Sequence, residues 1–154
     1  MSSWLPGVRI GVGCALLVAA LVGAAGCGGV KRVPAGGTVT LDGQPLKEGI
    51  LEFVPDPSKG NTLRVSCTGP ISNGRFNLTT AGMNKADNGQ GAPVGWFKVR
   101  YMNPNERGYD PNAKEKDRSP KVADKYRSEE TTPISIELTD PPPAEGYKIE
   151  LTSK

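Results

Sequence analysis

The chain has 154 residues, 19 Lys and Arg against 16 Asp and Glu, a net charge of +3, and no histidine. That length suits one domain of ordinary size, and a charge so near zero excludes the electrostatic footprint of a nucleic-acid binder. Without histidine, His-ligated metals, Ser-His and Cys-His nucleophile pairs and imidazole acid–base catalysis are all excluded. Gly (20) and Pro (14) make the chain turn-rich, yet their share stays below the quarter or so expected of low-complexity disorder.

The first element is an address. Arg9 precedes a stretch, residues 10–30, that carries no charge and is dominated by Gly, Ala and Val. A positive start, an apolar run of secretory length and a small-residue end make a signal segment. The run closes on Ala24-Ala25-Gly26-Cys27-Gly28-Gly29. Small residues directly before a Cys resemble the lipobox of bacterial lipoproteins, with Ala24 where the family most often has Leu. The resemblance implies a lipoprotein signal peptide over residues 1–26, cleavage after Gly26, and acylation of the Cys27 thiol and of the new amine. Two other readings stand beside it. An uncleaved helix over residues 10–30 would reach about 31 Å, enough to span a bilayer, and plain secretion needs no lipid. Gly28 and Gly29 lack the Asp that can retain such proteins at the inner membrane, which points to the outer membrane.

Cysteine usage is consistent with that address. Cys14 leaves with the signal and Cys27 is lipidated, so Cys67 remains without a disulfide partner. The remaining chain, roughly 130 residues, is long enough for one core. Residues 27–36 read as a tether and residues 37–154 as the domain.

The domain reads as short segments of period two. Val39 and Leu41 alternate with Thr38, Thr40 and Asp42, and Asp42-Gly43-Gln44-Pro45 is a turn signal. Leu51 and Phe53 flank Glu52. Leu63, Val65 and Cys67 alternate with polar residues, as do Phe76 and Leu78 after the turn Ser72-Asn73-Gly74. Phe97, Val99 and Tyr101 follow in one phase, with Trp96, Lys98, Arg100 and Met102 in the other. Ile134, Ile136 and Leu138, then Tyr147, Ile149 and Leu151, complete seven segments. Seven short strands without a long helical repeat predict an all-β sandwich. Residues 80–95 and 103–132 read as long connections. The second contains the one short helical candidate, residues 120–127, whose Val122 and Tyr126 stand four apart and so share a face.

Several stretches resemble a known family. GTVTLDGQPLKEGILEFVP (37–55), GRFNLTT (74–80), GAPVGWFKVRY (91–101), DKYRSEETTPISIEL (124–138) and the closing YKIELTS are similar, in that order, to transthyretin-like, carboxypeptidase-regulatory-type domains. With the lipobox, the arrangement resembles the small envelope lipoproteins of planctomycete-type bacteria. The resemblance implies a seven-stranded prealbumin/Ig-like β-sandwich at the cell envelope, no established activity, no catalytic residues and no cofactor. The prealbumin fold also hosts the 5-hydroxyisourate hydrolases, which use histidines and a C-terminal Tyr-Arg-Gly-Ser motif. Tyr126-Arg127-Ser128 lies inside this chain and lacks the Gly, and no histidine is present to move the proton.

The remaining candidates are weighed on their own chemistry. Cys67 has no His to activate it and lies in phase with Leu63 and Val65, so it reads as a small buried hydrophobe. Asp42, Glu52, Asp56, Asp87, Asp110 and Asp124 form no spaced calcium loop, so no metal site is expected. Trp96 is out of phase with the core positions and beside cations; the expectation is that a long loop folds over it and buries it, and the alternative is that it stacks on a sugar or partner. The expected function is a lipid-anchored, non-enzymatic structural or binding module of the bacterial envelope, held by its membrane anchor and meeting an envelope protein or polysaccharide. The alternative is a carbohydrate- or peptide-binding accessory that uses Trp96, Arg100, Tyr109 and Tyr126 with the 103–132 loop.

Overall fold

The computed structural model describes Met1, residues 30–103 and residues 120–154. The signal segment, Cys27 and Tyr109 therefore lie outside the described residues. Ten strands follow one another: β1 (Gly36–Leu41), β2 (Gln44–Pro45), β3 (Glu48–Pro55), β4 (Val65–Ser72), β5 (Arg75–Asn77), β6 (Thr79–Gly82), β7 (Gly89–Gln90), β8 (Gly95–Met102), β9 (Ser135–Leu138) and β10 (Tyr147–Leu151). Among the described residues the helical pieces are short 3-10 turns, and none is long and apolar enough to cross a membrane.

The chain is all-β. Its main sheet path runs β10-β1-β5-β4-β3-β8-β9, so each of the seven alternating segments supplies one strand of that path. The three added strands, β2, β6 and β7, sit where turn chemistry hid them, in Gln44-Pro45 and in the Gly- and Asn-rich stretch after Leu78. Every described strand belongs to one continuous hydrogen-bonded sheet, whereas the sequence predicts two packed sheets. The sheet curls, which lets a single face enclose the core. Pairing is antiparallel except for β1 on β10, where Val39 stands opposite Ile149.

The alternation explains the packing. Every second residue of β8 is buried (Phe97, Val99, Tyr101), and the same holds for Leu51 and Phe53 of β3 and for Tyr147, Ile149 and Leu151 of β10. These join Val39, Cys67, Phe76, Leu78 and Leu138 in one apolar cluster. Phe53 sits among the aromatics, its ring centroid 5.9 Å from Phe76 and 6.5 Å from Phe97. The two ends of the curled sheet approach each other, because the Thr139 N–H after β9 donates to the Tyr147 hydroxyl of β10 at 2.9 Å.

Two hairpins carry the turn residues their geometry demands. Leu41 faces Gln44 across Asp42-Gly43, and Ser72 faces Arg75 across Asn73-Gly74. Both central residues have positive φ in each turn (49° and 80°, 50° and 76°). That is the two-residue pattern for which Asp-Gly and Asn-Gly are favoured. Asp42 also accepts the Ser153 N–H at 3.1 Å, tying the turn to the C-terminus.

Three expectations shift. Leu63 is 36% exposed and β4 begins only at Val65, because Asn61 accepts the Leu63 N–H at 3.2 Å and holds residues 61–63 in the loop. The 120–127 candidate forms a 3-10 turn over Asp124–Tyr126, not a longer helix; Val122 and Tyr126 are both buried, although Val122 lies outside that turn and shares no helical face with Tyr126. The Ala123 N–H donates to Thr152 O at 2.9 Å, while the Thr132 hydroxyl donates to Val99 O at 2.6 Å. This stretch thus joins the end of β10 to β8. Finally, the stretch read as tether lies on the domain from Val30 onward: Val33 and Ala92 exchange both backbone hydrogen bonds, and Val33 and Ala35 are buried.

Candidate functional site

The outer face of β8 carries the candidate residues that the strand phase turns away from the core. Trp96, Lys98, Arg100 and Met102 alternate with the buried positions and are only partly covered. The face is a worked surface, since Trp96, Lys98 and Arg100 each meet a residue from another element.

Trp96 is half-buried, and no long loop covers it among the described residues. Its cover is Lys59, whose Nζ stands 3.6 Å from the ring centroid. A cation over an indole face is attracted by the ring quadrupole, by about 0.5–1 kcal/mol at exposed sites. Lys59 is delivered by a capped turn. Asp56 is the N-cap, Pro57 opens the 3-10 turn Pro57–Lys59, and Gly60 closes it with φ 85°. Proline first and glycine last is the usual punctuation of such a turn. Asn61 then donates its side-chain N–H to Trp96 O at 2.8 Å, fixing the turn to β8. A sugar ring stacking on Trp96 would have to displace the Lys59 ammonium.

Arg100 is bound to Glu52 directly across the β3–β8 ladder. Both its Nε (2.8 Å) and an Nη (2.5 Å) reach the same carboxylate oxygen. Lys98, between Trp96 and Arg100 on this face, donates to Glu129 O at 2.9 Å. Tyr126 is 5% exposed and packs with the core cluster, its hydroxyl 3.3 Å from the Thr152 hydroxyl. Trp96 and Arg100 therefore share a strand face, while Tyr126 lines no open groove with them. Tyr109 and the central part of the 103–132 connection fall in residues 104–119, outside the described residues.

Asp56 is a residue whose role local pattern did not reveal. It is 1% exposed. Its carboxylate accepts the Ser58 N–H (3.1 Å), the Ser58 hydroxyl (2.5 Å) and the Ser135 hydroxyl from β9 (3.0 Å). The Ser58 hydroxyl chiefly, then Ser135, holds the carboxyl below its ordinary value, against the opposing effect of burial. A lowered folded pKa means the unfolded chain binds the proton more readily. The stability Asp56 contributes is thus full above its ordinary value of 3.8 and lost as pH falls through the lower folded value. Asp56→Asn should cost about 1–3 kcal/mol at neutral pH, the worth of hydrogen bonds to a charged group. Urea midpoints of the two proteins should converge as the pH is lowered through the acid range. A gap independent of pH would show that the charge is not the source.

Cys67 lies fully buried in β4, its Sγ 3.5 Å from the Thr80 hydroxyl, which itself donates to Gly91 O at 2.7 Å. Burial pushes the thiol pKa up, the direction opposite to that of an activated nucleophile. Thiol reagents should label Cys67 only after denaturant is added, and Cys67→Ser should cost about 1–3 kcal/mol for a hydroxyl in an apolar site. Fast labelling in native buffer would contradict the burial.

Among the described residues no group of three or more Cys, Asp or Glu could hold a metal ion. A shallow depression of about 400 Å³ lies along the incoming chain, lined by Arg32, Val33, Asn77, Leu78, Gln90 and Gly91 among others. No family model matches the chain, and no curated protein or solved structure matches it either.

Proposed function

We propose that this chain is a lipid-anchored, non-enzymatic structural or binding module of the bacterial cell envelope. Its domain would be a curled variant of the seven-stranded transthyretin-like sandwich. The observation that carries this reading is the join between address and domain. Ala24-Ala25-Gly26-Cys27 closes an uncharged run, and the chain is already held on the β domain at Val30, three residues later. Cleavage after Gly26 removes the signal and leaves the folded unit whole. Diacylglyceryl and amide-linked acyl chains on Cys27 together give a stable anchor, where a single chain binds membranes only marginally. Gly28 and Gly29 favour the outer membrane, and the outer face of β8 is the surface offered to an envelope protein or polysaccharide.

The test is Cys27→Ser. The wild type should fractionate with membranes as a shortened chain, and the variant should accumulate as a longer, unlipidated precursor. Equal size and equal membrane release for the two proteins would refute the anchor.

A further inference from the structure

The route by which the chain enters the domain constrains how the domain stands on its anchor. The Val30 N–H donates to Asp87 Oδ1 at 3.3 Å, Lys31 pairs with Asp140 at 3.0 Å, and Arg32 donates to Ala86 O at 3.4 Å. Val33 is buried and bridged to Ala92. Only two residues, Gly28 and Gly29, separate Cys27 from Val30, and the three Cα–Cα steps reach no more than about 11 Å even when fully extended. A lipid on Cys27 is therefore confined to the neighbourhood of the Lys85–Asp87 turn.

The strand registers show what else lies at that end. Val65 pairs with Gly82, Pro55 with Phe97, and Gly95 with Leu138, while Gly36 opens β1 opposite Asn77. The start of β1 and the loops 56–64, 83–88, 91–94 and 139–146 thus share one end of the sheet, where the acids of the last loop are paired, Asp140 with Lys31 and Glu145 with Lys148. Apart from Met1, the exposed large apolar side chains among the described residues are Leu63 (36% exposed), Met83 (82%) and Val94 (48%). All three sit on these loops. Arg64 and Lys85 stand beside them in the same loops, while Asp87 accepts from Val30 and Asn84 and Lys59 covers Trp96. At the opposite end, the described residues include the exposed Asp42-Gly43 and Asn73-Gly74 turns and Lys47, and none of the exposed large hydrophobic side chains named above.

We propose that the anchor-side loops rest on the bilayer that holds the Cys27 lipid, with Met83, Val94 and Leu63 at headgroup depth and Arg64 and Lys85 on anionic headgroups. This inference rests on the lipid-anchor reading. Its physical basis is that a short, fixed join brings the exposed apolar loops within reach of the lipid that anchors them. Amphipathic contact of this kind combines apolar burial with attraction to anionic lipid. The domain then stands with its Asp42-Gly43 and Asn73-Gly74 turns pointing away from the membrane.

The test uses the full chain, purified from membranes and reconstituted into vesicles of phosphatidylethanolamine and phosphatidylglycerol. Met83→Cys and, at the far end, Lys47→Cys each carry an environment-sensitive fluorophore; buried Cys67 stays unlabelled. The label at position 83 should show blue-shifted emission and quenching by nitroxide-bearing lipids, and the label at position 47 should show neither. Intact mass of the same samples reads the lipid on Cys27. If the lipid is present and both labels report water, the docked orientation is overturned while the anchor stands. If Cys27 carries no lipid, both fall together.

Discussion

Phe53→Ala is expected to destabilise the domain by about 3–5 kcal/mol, the range for truncating a buried aromatic. Phe53 is fully buried at the middle of β3, and its ring meets Phe76 of β5 and Phe97 of β8. Phe97 lies on the neighbouring strand, whereas Phe76 lies beyond β4 in the sheet path, so the contact with Phe76 supports the curl as well as filling volume. Backbone ladders fix Phe53 between Cys67 and Val99, which limits how far the surroundings can collapse into the space left behind. Against a typical total stability of about 5–15 kcal/mol, such a loss takes much of the margin. Urea unfolding followed by circular dichroism measures it. A cost below about 1 kcal/mol would mean the three rings do not organise the core.

Gly37→Ala is expected to cost about 2–3 kcal/mol, at the upper part of the range for overpacking. The requirement here is close approach rather than an unusual backbone angle. Gly37 lies opposite Tyr147 where β1 and β10 run parallel. A Cβ at this position collides with the Tyr147 carbonyl oxygen and approaches its amide nitrogen to 2.6 Å. Both are backbone atoms, so neither can swing aside as a side chain would. β10 ends the sheet path and pairs with β1 alone among the described strands, so the collision is relieved by β10 moving outward. Hydrogen exchange should then show lost protection across Tyr147–Leu151, with β3, β4 and β8 protected as before. Unchanged protection of β10 would contradict the close pairing.

Both substitutions act on features with different visibility in sequence. The alternation of Phe97, Val99 and Tyr101 against Trp96, Lys98 and Arg100 predicts which face is buried, because side-chain direction follows backbone period. Asp42-Gly43 and Asn73-Gly74 are legible because positive φ is a local demand met by few residue types. Cys67 follows from phase in the same way, whereas the helical spacing of Val122 and Tyr126 predicts a helix longer than the Asp124–Tyr126 turn. Local period is silent on where a strand begins, and Leu63 continues the β4 pattern into a loop held by Asn61.

Pairing between distant segments is the information that period lacks. Lys59 reaches Trp96, Glu52 meets Arg100, and Asp56 accepts from Ser135 because the sheet path places β3 beside β8 and β8 beside β9. None of those neighbours follows from spacing along the chain. Asp56-Pro57-Ser58-Lys59-Gly60 forms a capped turn, and nothing in its own spacing points to the ring that Lys59 covers. The polar stretch before β1 reads as a tether by composition. Its hydrogen bonds to Asp87, Ala86 and Ala92 come from a segment over fifty residues away, and they turn a tether into a fixed join.

The anchor is the claim on which the functional account stands, and intact mass spectrometry of the protein extracted from membranes in detergent tests it most directly. The account predicts a chain beginning at Cys27, its thiol carrying diacylglyceryl and its amine an acyl chain. A chain that retains residues 1–26, or that begins at another residue with Cys27 unmodified, would contradict it.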